Sequence, residues 1–254
     1  MTYCAGIDVG SLATKCVVIN DDGRAAARAV LPTGVSGAAA AQRAFDEARA
    51  ALGVAAGDVE RVVGTGYGRA RVPFADRAVT EIMCHARGAF ELAGGLITVV
   101  DVGGQDVKAI RVNDRGGVAE FAMNDRCAAG TGRFLEIMAR ALEMDLLGLA
   151  AIDPGRPDAA KVNNMCTVFA ESEVVGLLHE GIEPAAIGAG VLRAVAERIS
   201  SMAQRMGGRY VLSGGVALNR GFALALGAAL GREVDVLPDP QFVGALGAAL
   251  LARG

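Results

Sequence analysis

The chain repeats one of its own hairpins. Gly6-Ile7-Asp8-Val9-Gly10-Ser11-Leu12-Ala13-Thr14-Lys15-Cys16-Val17-Val18-Ile19 aligns without gaps on Val99-Val100-Asp101-Val102-Gly103-Gly104-Gln105-Asp106-Val107-Lys108-Ala109-Ile110-Arg111-Val112, at a constant offset (101 − 8 and 108 − 15 both equal 93). Each copy is an apolar run carrying one aspartate, a glycine-bearing turn and a second apolar run, which is the pattern of a β-hairpin. A looser pair closes each half, since Arg61 to Gly68 and Arg209 to Val216 both read as a strand followed by a glycine turn. Turns of that kind bring backbone N–H groups close to a ligand. Such duplication predicts two similar α/β lobes, each a βββαβα-like unit, facing each other across a cleft.

Between these landmarks the periodicity is helical over Ala38 to Leu52, Val79 to Leu92 and Gly190 to Met206. The second of these lies where the halves join. Ile152 to Asp158 is rich in breakers and reads as a loop. A strand through Val234, Val236 and Leu237 precedes Pro238-Asp239-Pro240-Gln241, and a last helix runs from Phe242 to Leu251 with Gly244, Ala245, Gly247 and Ala248 allowing close packing. The expected division is a first lobe over 1–95, completed by the helix in 242–254, and a second lobe over 96–241.

A hydrophobic fraction of 52% with 21% charged residues fits a globular protein with an ample core. No run of about 18 apolar residues offers a membrane span, and the N-terminus lacks the basic start of a signal peptide. The net charge of −3 provides no electrostatic footprint for nucleic acid. Neither nucleic acid nor a membrane is therefore expected as a partner. Five cysteines are an odd number without a disulfide pattern, which places the protein in the reducing cytoplasm.

Asp8 and Asp101 end equivalent strands, so the symmetry brings both carboxylates to the floor of one cleft. There they could hold a hydrated Mg²⁺ and orient a water for attack on a γ-phosphate, with Gln105 beside them. A lone aspartate next to glycine is ordinarily just a turn; the gap-free repeat is what argues otherwise. The turns at Gly10, Ser11, Leu12 and Ala13 and at Gly103, Gly104 and Asp106 offer amides to phosphate oxygens, and Thr14 and Lys15 add a hydroxyl and a cation. Gly214, Gly215, Val216 and Asn219 form a third turn for the adenosine side of ATP or ADP, with Gln241, Phe242 and Val243 behind it.

Cys127 and Cys166 each open a stretch that reads as a helix, where unpaired N–H groups and the dipole favour a thiolate as a metal ligand. Cys4, Cys16 and Cys84 lie within strand or helix patterns and read as small buried apolar residues. His85 and His179 read as ordinary helix residues, and Met202 and Met206 as packing. An iron–sulfur cubane needs four thiolates, and one chain places two convincingly, so two chains sharing a cluster would complete the set.

Together these motifs resemble the sugar kinase, heat-shock cognate and actin superfamily of ATPases. Within it, the runs Gly6 to Ser11, Asp101 to Lys108, Asn124 to Phe134 and Met165 to Val174 are similar to the activators of 2-hydroxyacyl-CoA dehydratases, grouped with the ATP-binding subunits of benzoyl-CoA reductase. Val102 and Arg126 stand where that family usually has Ile and Lys. The resemblance implies an α/β actin-like ATPase fold of two duplicated, ribonuclease H-like lobes, with ATP or ADP and Mg²⁺ in the interlobe cleft. It implies a homodimer with one 4Fe–4S cluster at the interface, bound by Cys127 and Cys166 of each subunit. Reduced ferredoxin or flavodoxin would load one electron, and ATP hydrolysis would drive it to a separate 2-hydroxyacyl-CoA dehydratase or related reductase. The alternatives are an ATP-binding subunit built into a benzoyl-CoA reductase-type complex with a similar second subunit, and a small-molecule kinase of the same superfamily.

Overall fold

In the computed structural model, residues 2–124, 127–163 and 166–254 are described. Asp125, Arg126, Asn164 and Met165, which belong to the two cysteine motifs, lie outside the described residues.

The repeated hairpins seed two sheets of one design. The first comprises β1 (Tyr3–Val9), β2 (Ala13–Ile19), β3 (Ala25–Pro32), β4 (Val59–Thr65) and β5 (Arg77–Ala78), in the order β3-β2-β1-β4-β5. The second comprises β6 (Ile97–Val102), β7 (Val107–Val112), β8 (Val118–Asn124), β9 (Arg209–Ser213) and β10 (Val234–Val236), in the order β8-β7-β6-β9-β10. The first three strands of each sheet are antiparallel, while β4 and β9 join β1 and β6 in parallel. Register carries the repeat to the site. Asp8 faces Lys15 and Thr65 on its two neighbours, as Asp101 faces Lys108 and Ser213.

Helix α1 (Gly37–Leu52) starts at Ser36, whose Oγ accepts from the Ala39 amide, and stops at Gly53 in the left-handed region, φ 69°. Its apolar face, with Ala41, Ala44 and Phe45, covers the outer side of the first sheet. On the second sheet that layer is larger: α3 (Gly132–Ala141), α4 (Leu146–Ala151), α5 (Thr167–His179), α6 (Pro184–Ala203) and α7 (Arg220–Leu230) share one core. Helix α6 begins at Pro184, a residue suited to the first turn, and not at Gly190. Gly190 is internal because the Ala160 carbonyl lies 2.0 Å from where its Cβ would stand.

Two helices fill the space between the sheets. Helix α2 (Glu81–Ala93) packs Ala86 and Ala89 against the second sheet, whereas α8 (Val243–Arg253) packs Ala245, Ala248 and Ala249 against the first. They meet almost backbone to backbone. A Cβ on Gly247 would stand 1.8 Å from the Cys84 carbonyl, and one on Gly6 would stand 2.0 Å from that of Ala245. Among the described residues, no helix is long and apolar enough to cross a membrane.

Candidate functional site

A cleft of about 760 Å³ opens between the two hairpin turns. Each turn closes with the same backbone bond, from Gly10 N–H to the Ala13 carbonyl (3.1 Å) and from Gly103 N–H to that of Asp106 (2.9 Å). Asp8, Gly10, Ser11, Leu12, Ala13 and Lys15 line it on one side, and Asp101, Gly103, Gly104, Gln105 and Asp106 on the other. Gly214, Gly215, Val216, Asn219 and Gln241 line it beyond the second turn. Asn219 also caps α7, its Oδ1 accepting from the Phe222 amide at 2.8 Å.

Two expected contacts fall elsewhere. Successive strand residues face opposite sides, so Thr14 points away from the cleft when Lys15 points in. The Thr14 hydroxyl is fully buried against that of Thr33 at 2.9 Å, and Thr33 donates to the Gly10 carbonyl at 2.8 Å. Thr14 thus braces the turn from behind. Val243, the first residue of α8, is fully buried in the core beside the second sheet.

The two aspartates are equivalent in register but not in bonding. Lys15 Nζ donates to Asp8 Oδ2 at 3.0 Å, while Asp8 Oδ1 is buried without a hydrogen-bond partner among the described residues. Burial alone would lower the Lys15 ammonium, but Asp8 outweighs it and raises it. Asp101 has both oxygens engaged: Ser213 Oγ donates to Oδ1 at 3.1 Å, with His85 Nδ1 3.5 Å away, and Lys108 Nζ lies 3.4 Å from Oδ2. Burial works to raise the Asp101 carboxyl, yet His85, Lys108 and Lys15 hold it below the usual range. The unpaired Asp8 oxygen lies against Gly66, where a Cβ would stand 2.4 Å from it, and the carboxylate as a whole lines the cleft, where a hydrated cation could be held.

Glu81, His85, Lys108 and Ser213 join the site without having been singled out as site residues. Lys108, about 1% exposed, sits among Asp106 at 2.8 Å, Asp101 and Glu81 at 3.6 Å, and these carboxylates raise its ammonium although burial opposes them. Burial pushes the Glu81 carboxyl up to about 7 against the pull of Lys108. His85 is buried, which lowers its imidazole despite Asp101. The repeat itself signals Lys108 and Ser213, as the counterparts of Lys15 and Thr65. Nothing local signals Glu81 and His85, because α2 brings them in from outside the repeat.

Cys127 and Cys166 are exposed thiols outside the cleft, while Cys4, Cys16 and Cys84 are buried. Cys166 is the N-cap of α5, as its helix pattern predicts. Cys127 does not begin a helix. Gly130 turns the chain at φ 89°, Thr131 is the cap, and α3 starts at Gly132. That start is tied to the cleft, since the Gly132 and Arg133 amides donate to the carbonyls of Gly103 and Gly104, both at 2.9 Å. Helices α3 and α5 pack on each other, so both cysteine segments share one end of the second lobe. Glu173 of α5 holds Asn163, accepting from its amide N–H and its Nδ2, each at 3.0 Å. Val168 and Phe169, just after Cys166, are more than half exposed. Among the described residues, no group of three or more His, Cys, Asp or Glu side chains is placed to hold a metal ion.

Residues 5–252 match the sequence pattern of the BadF/BadG/BcrA/BcrD ATPase family. The chain belongs to this family. It is 46% identical over 252 residues to the activator of lactoyl-CoA dehydratase of Anaerotignum propionicum, covering 98% of this chain and 97% of that one. It is also similar to the crystal structure of Acidaminococcus fermentans (R)-2-hydroxyglutaryl-CoA dehydratase component A, with a TM-score of 0.94 at 40% identity over 100% of this chain and 98% of that one. The activator of the 2-hydroxyisocaproyl-CoA dehydratase from Clostridium difficile with bound ADPNP gives a TM-score of 0.93 at 39% identity, over 99% and 94% of the two chains. The fold is therefore the α/β actin-like ATPase fold, as the family resemblance implied.

Proposed function

We propose that this protein is an ATP-driven, single-electron activator of a 2-hydroxyacyl-CoA dehydratase and acts in the cytoplasm as a homodimer. Cys127 and Cys166 of two copies would hold one 4Fe–4S cluster between them. The observation that carries this reading is the pair of backbone bonds from Gly132 and Arg133 to the second phosphate turn. Through them, whatever moves the Gly103–Gly104 turn also moves the segment that follows Cys127.

The donor set fits. Two exposed thiols per chain amount to half of a cubane's usual four, and exposed Val168 and Phe169 beside Cys166 give a second copy an apolar surface to bury. When bound, the cluster would supply one-electron chemistry, loaded by reduced ferredoxin or flavodoxin and passed on to the dehydratase. The chain's own residues do the rest. Asp8 would hold a hydrated Mg²⁺, the turn amides would hold phosphate oxygens, and Asp101 and Gln105 would orient the attacking water.

Anaerobic purification of the wild type and of Cys166→Ser tests this reading. A brown wild-type dimer with about four irons per two chains, and an iron-poor variant of smaller native mass, are expected. A variant with normal iron content would remove Cys166 from the ligand set.

A further inference from the structure

We infer that His85 is a positioning residue for ATP hydrolysis, holding the Asp101 carboxylate in one orientation through Ser213. This rests on the reading of Asp101 as the carboxylate that serves the attacking water.

Proton counting gives the direction of the relay. Ser213 Oγ lies 3.1 Å from Asp101 Oδ1 and 3.3 Å from His85 Nδ1. A hydroxyl has one proton to give. An Asp101 carboxylate can only accept, so the Ser213 proton goes to Oδ1 and only an oxygen lone pair remains for the imidazole. Nδ1 must then carry a proton. The same N–H also faces Asp101 Oδ1 at 3.5 Å, where an unprotonated nitrogen would set lone pair against lone pair. Three elements thus converge on one oxygen: α2 through His85, β9 through Ser213 and β6 through Asp101. Oδ2 is left for Lys108 and the cleft.

The imidazole is confined from behind. A Cβ on Gly244 would stand 2.8 Å from His85 Nε2, so the α8 backbone presses directly on the ring. Packing alone explains a buried flat ring, but not a donor aimed at the serine that holds a cleft carboxylate.

The first lobe supplies the control. Thr65 occupies the register position of Ser213, but it makes no hydrogen bond to Asp8, whose Oδ1 is buried without a hydrogen-bond partner among the described residues. The α2 residue facing Thr65 is Cys84, the immediate neighbour of His85. The hairpin geometry therefore does not demand a relay. One is added at Asp101 alone.

The experiment reads turnover, metal dependence and tautomer together. His85→Leu keeps an apolar bulk without a donor, whereas His85→Asn places an amide N–H where Nδ1 stands. His85→Leu should lower kcat for ATP about 10- to 100-fold with KM within a few-fold, as expected for a misoriented group. His85→Asn should recover kcat to within a few-fold of wild type. Calorimetry of ADP binding should show the same affinity for wild type and His85→Leu without Mg²⁺, and a weaker gain on adding Mg²⁺ in the variant. The chain has 2 histidines, so a ¹⁵N-histidine spectrum of the nucleotide-free wild type separates the buried His85 from the exposed His179. His85 should be the Nδ1–H tautomer.

Wild-type turnover in His85→Leu, no recovery in a folded His85→Asn, or an Nε2–H tautomer would overturn the inference. Asp101→Asn separates it from the reading beneath it. Full turnover in Asp101→Asn sinks the role of Asp101 itself, whereas an inactive Asp101→Asn beside a fully active His85→Leu sinks only the relay.

Discussion

The two lobes carry the same hairpin, yet Asp8 ends in an open oxygen and Asp101 in a closed network. Asp8 has one lysine partner and a buried, unbonded Oδ1. Asp101 has Ser213, His85 and Lys108 around it. Buried polar atoms are normally paired, and the unpaired Asp8 oxygen lies against Gly66, whereas the matching oxygen of Asp101 takes up Ser213 and His85. Duplication supplied two equal frames. The elements packed around each frame made them unequal.

A second contrast lies two strand residues earlier. Gly6 and Val99 are equivalent in the repeat, and both are fully covered. The glycine is required because α8 rests its backbone on β1, leaving no room for a Cβ, whereas Val99 shares a side-chain core with Ala86 and Ala89 of α2.

The aspartates offer the largest break. Asp101→Asn should cut ATP hydrolysis about 100-fold or more, the scale for losing one electrostatic group aimed at the reacting centre. Asp8→Asn should cut it comparably and also raise the Mg²⁺ concentration for half-maximal rate, because Asp8 has Lys15 as a partner but no counterpart of the Ser213 and His85 contacts that fix Asp101. Identical Mg²⁺ requirements in steady-state assays of the two variants would erase the functional distinction between the lobes.

Next in size is the swap at the strand pair. Gly6→Val forces α8 off the sheet and should cost about 3 kcal/mol or more, while Val99→Ala leaves only a small cavity and should cost about 2 kcal/mol. Urea unfolding of both variants checks the order. A milder Gly6→Val would mean that α8 can shift without loss.

Thr65→Val removes a hydroxyl that meets the Cys84 thiol and no carboxylate, and should change stability by no more than about 1 kcal/mol. Marked destabilisation in a thermal melt would show that the hydroxyl serves Asp8 as Ser213 serves Asp101.

A separate effect is in pH. Burial holds the Glu81 carboxyl up at about 7, against 4.5 in an ordinary environment. Between those values the folded chain binds more protons than the unfolded one, so this group's contribution to stability falls as pH rises from 4.5 to about 7 and is flat above. With the attraction of Lys108 already included in that value, the loss is on the order of 3 kcal/mol. Denaturant midpoints at pH 5 and pH 8 without nucleotide should show it, and Glu81→Gln should flatten it. An unchanged slope in that variant would assign the effect to another group.

Much of the fold was legible because the repeat is local. Alternation and turn residues within each hairpin fix Asp8 opposite Lys15 and Asp101 opposite Lys108, whatever packs around them. Helix starts were less legible. Gly190 reads as a boundary but is a point of close approach, and Cys127 stands beyond the Gly130 turn that delays α3.

By itself the sequence determined two α/β lobes, a cleft floored by two aspartates and two cysteines set apart from it, since each follows from short-range pattern and repetition. The tertiary structure alone decided that Thr14 braces the turn, that Gly132 and Arg133 hang on the Gly103–Gly104 turn, and that α2 delivers Glu81 and His85 to the second lobe. These contacts join residues far apart in the chain. No periodicity records them, because they depend on which helix the finished core presses against which sheet.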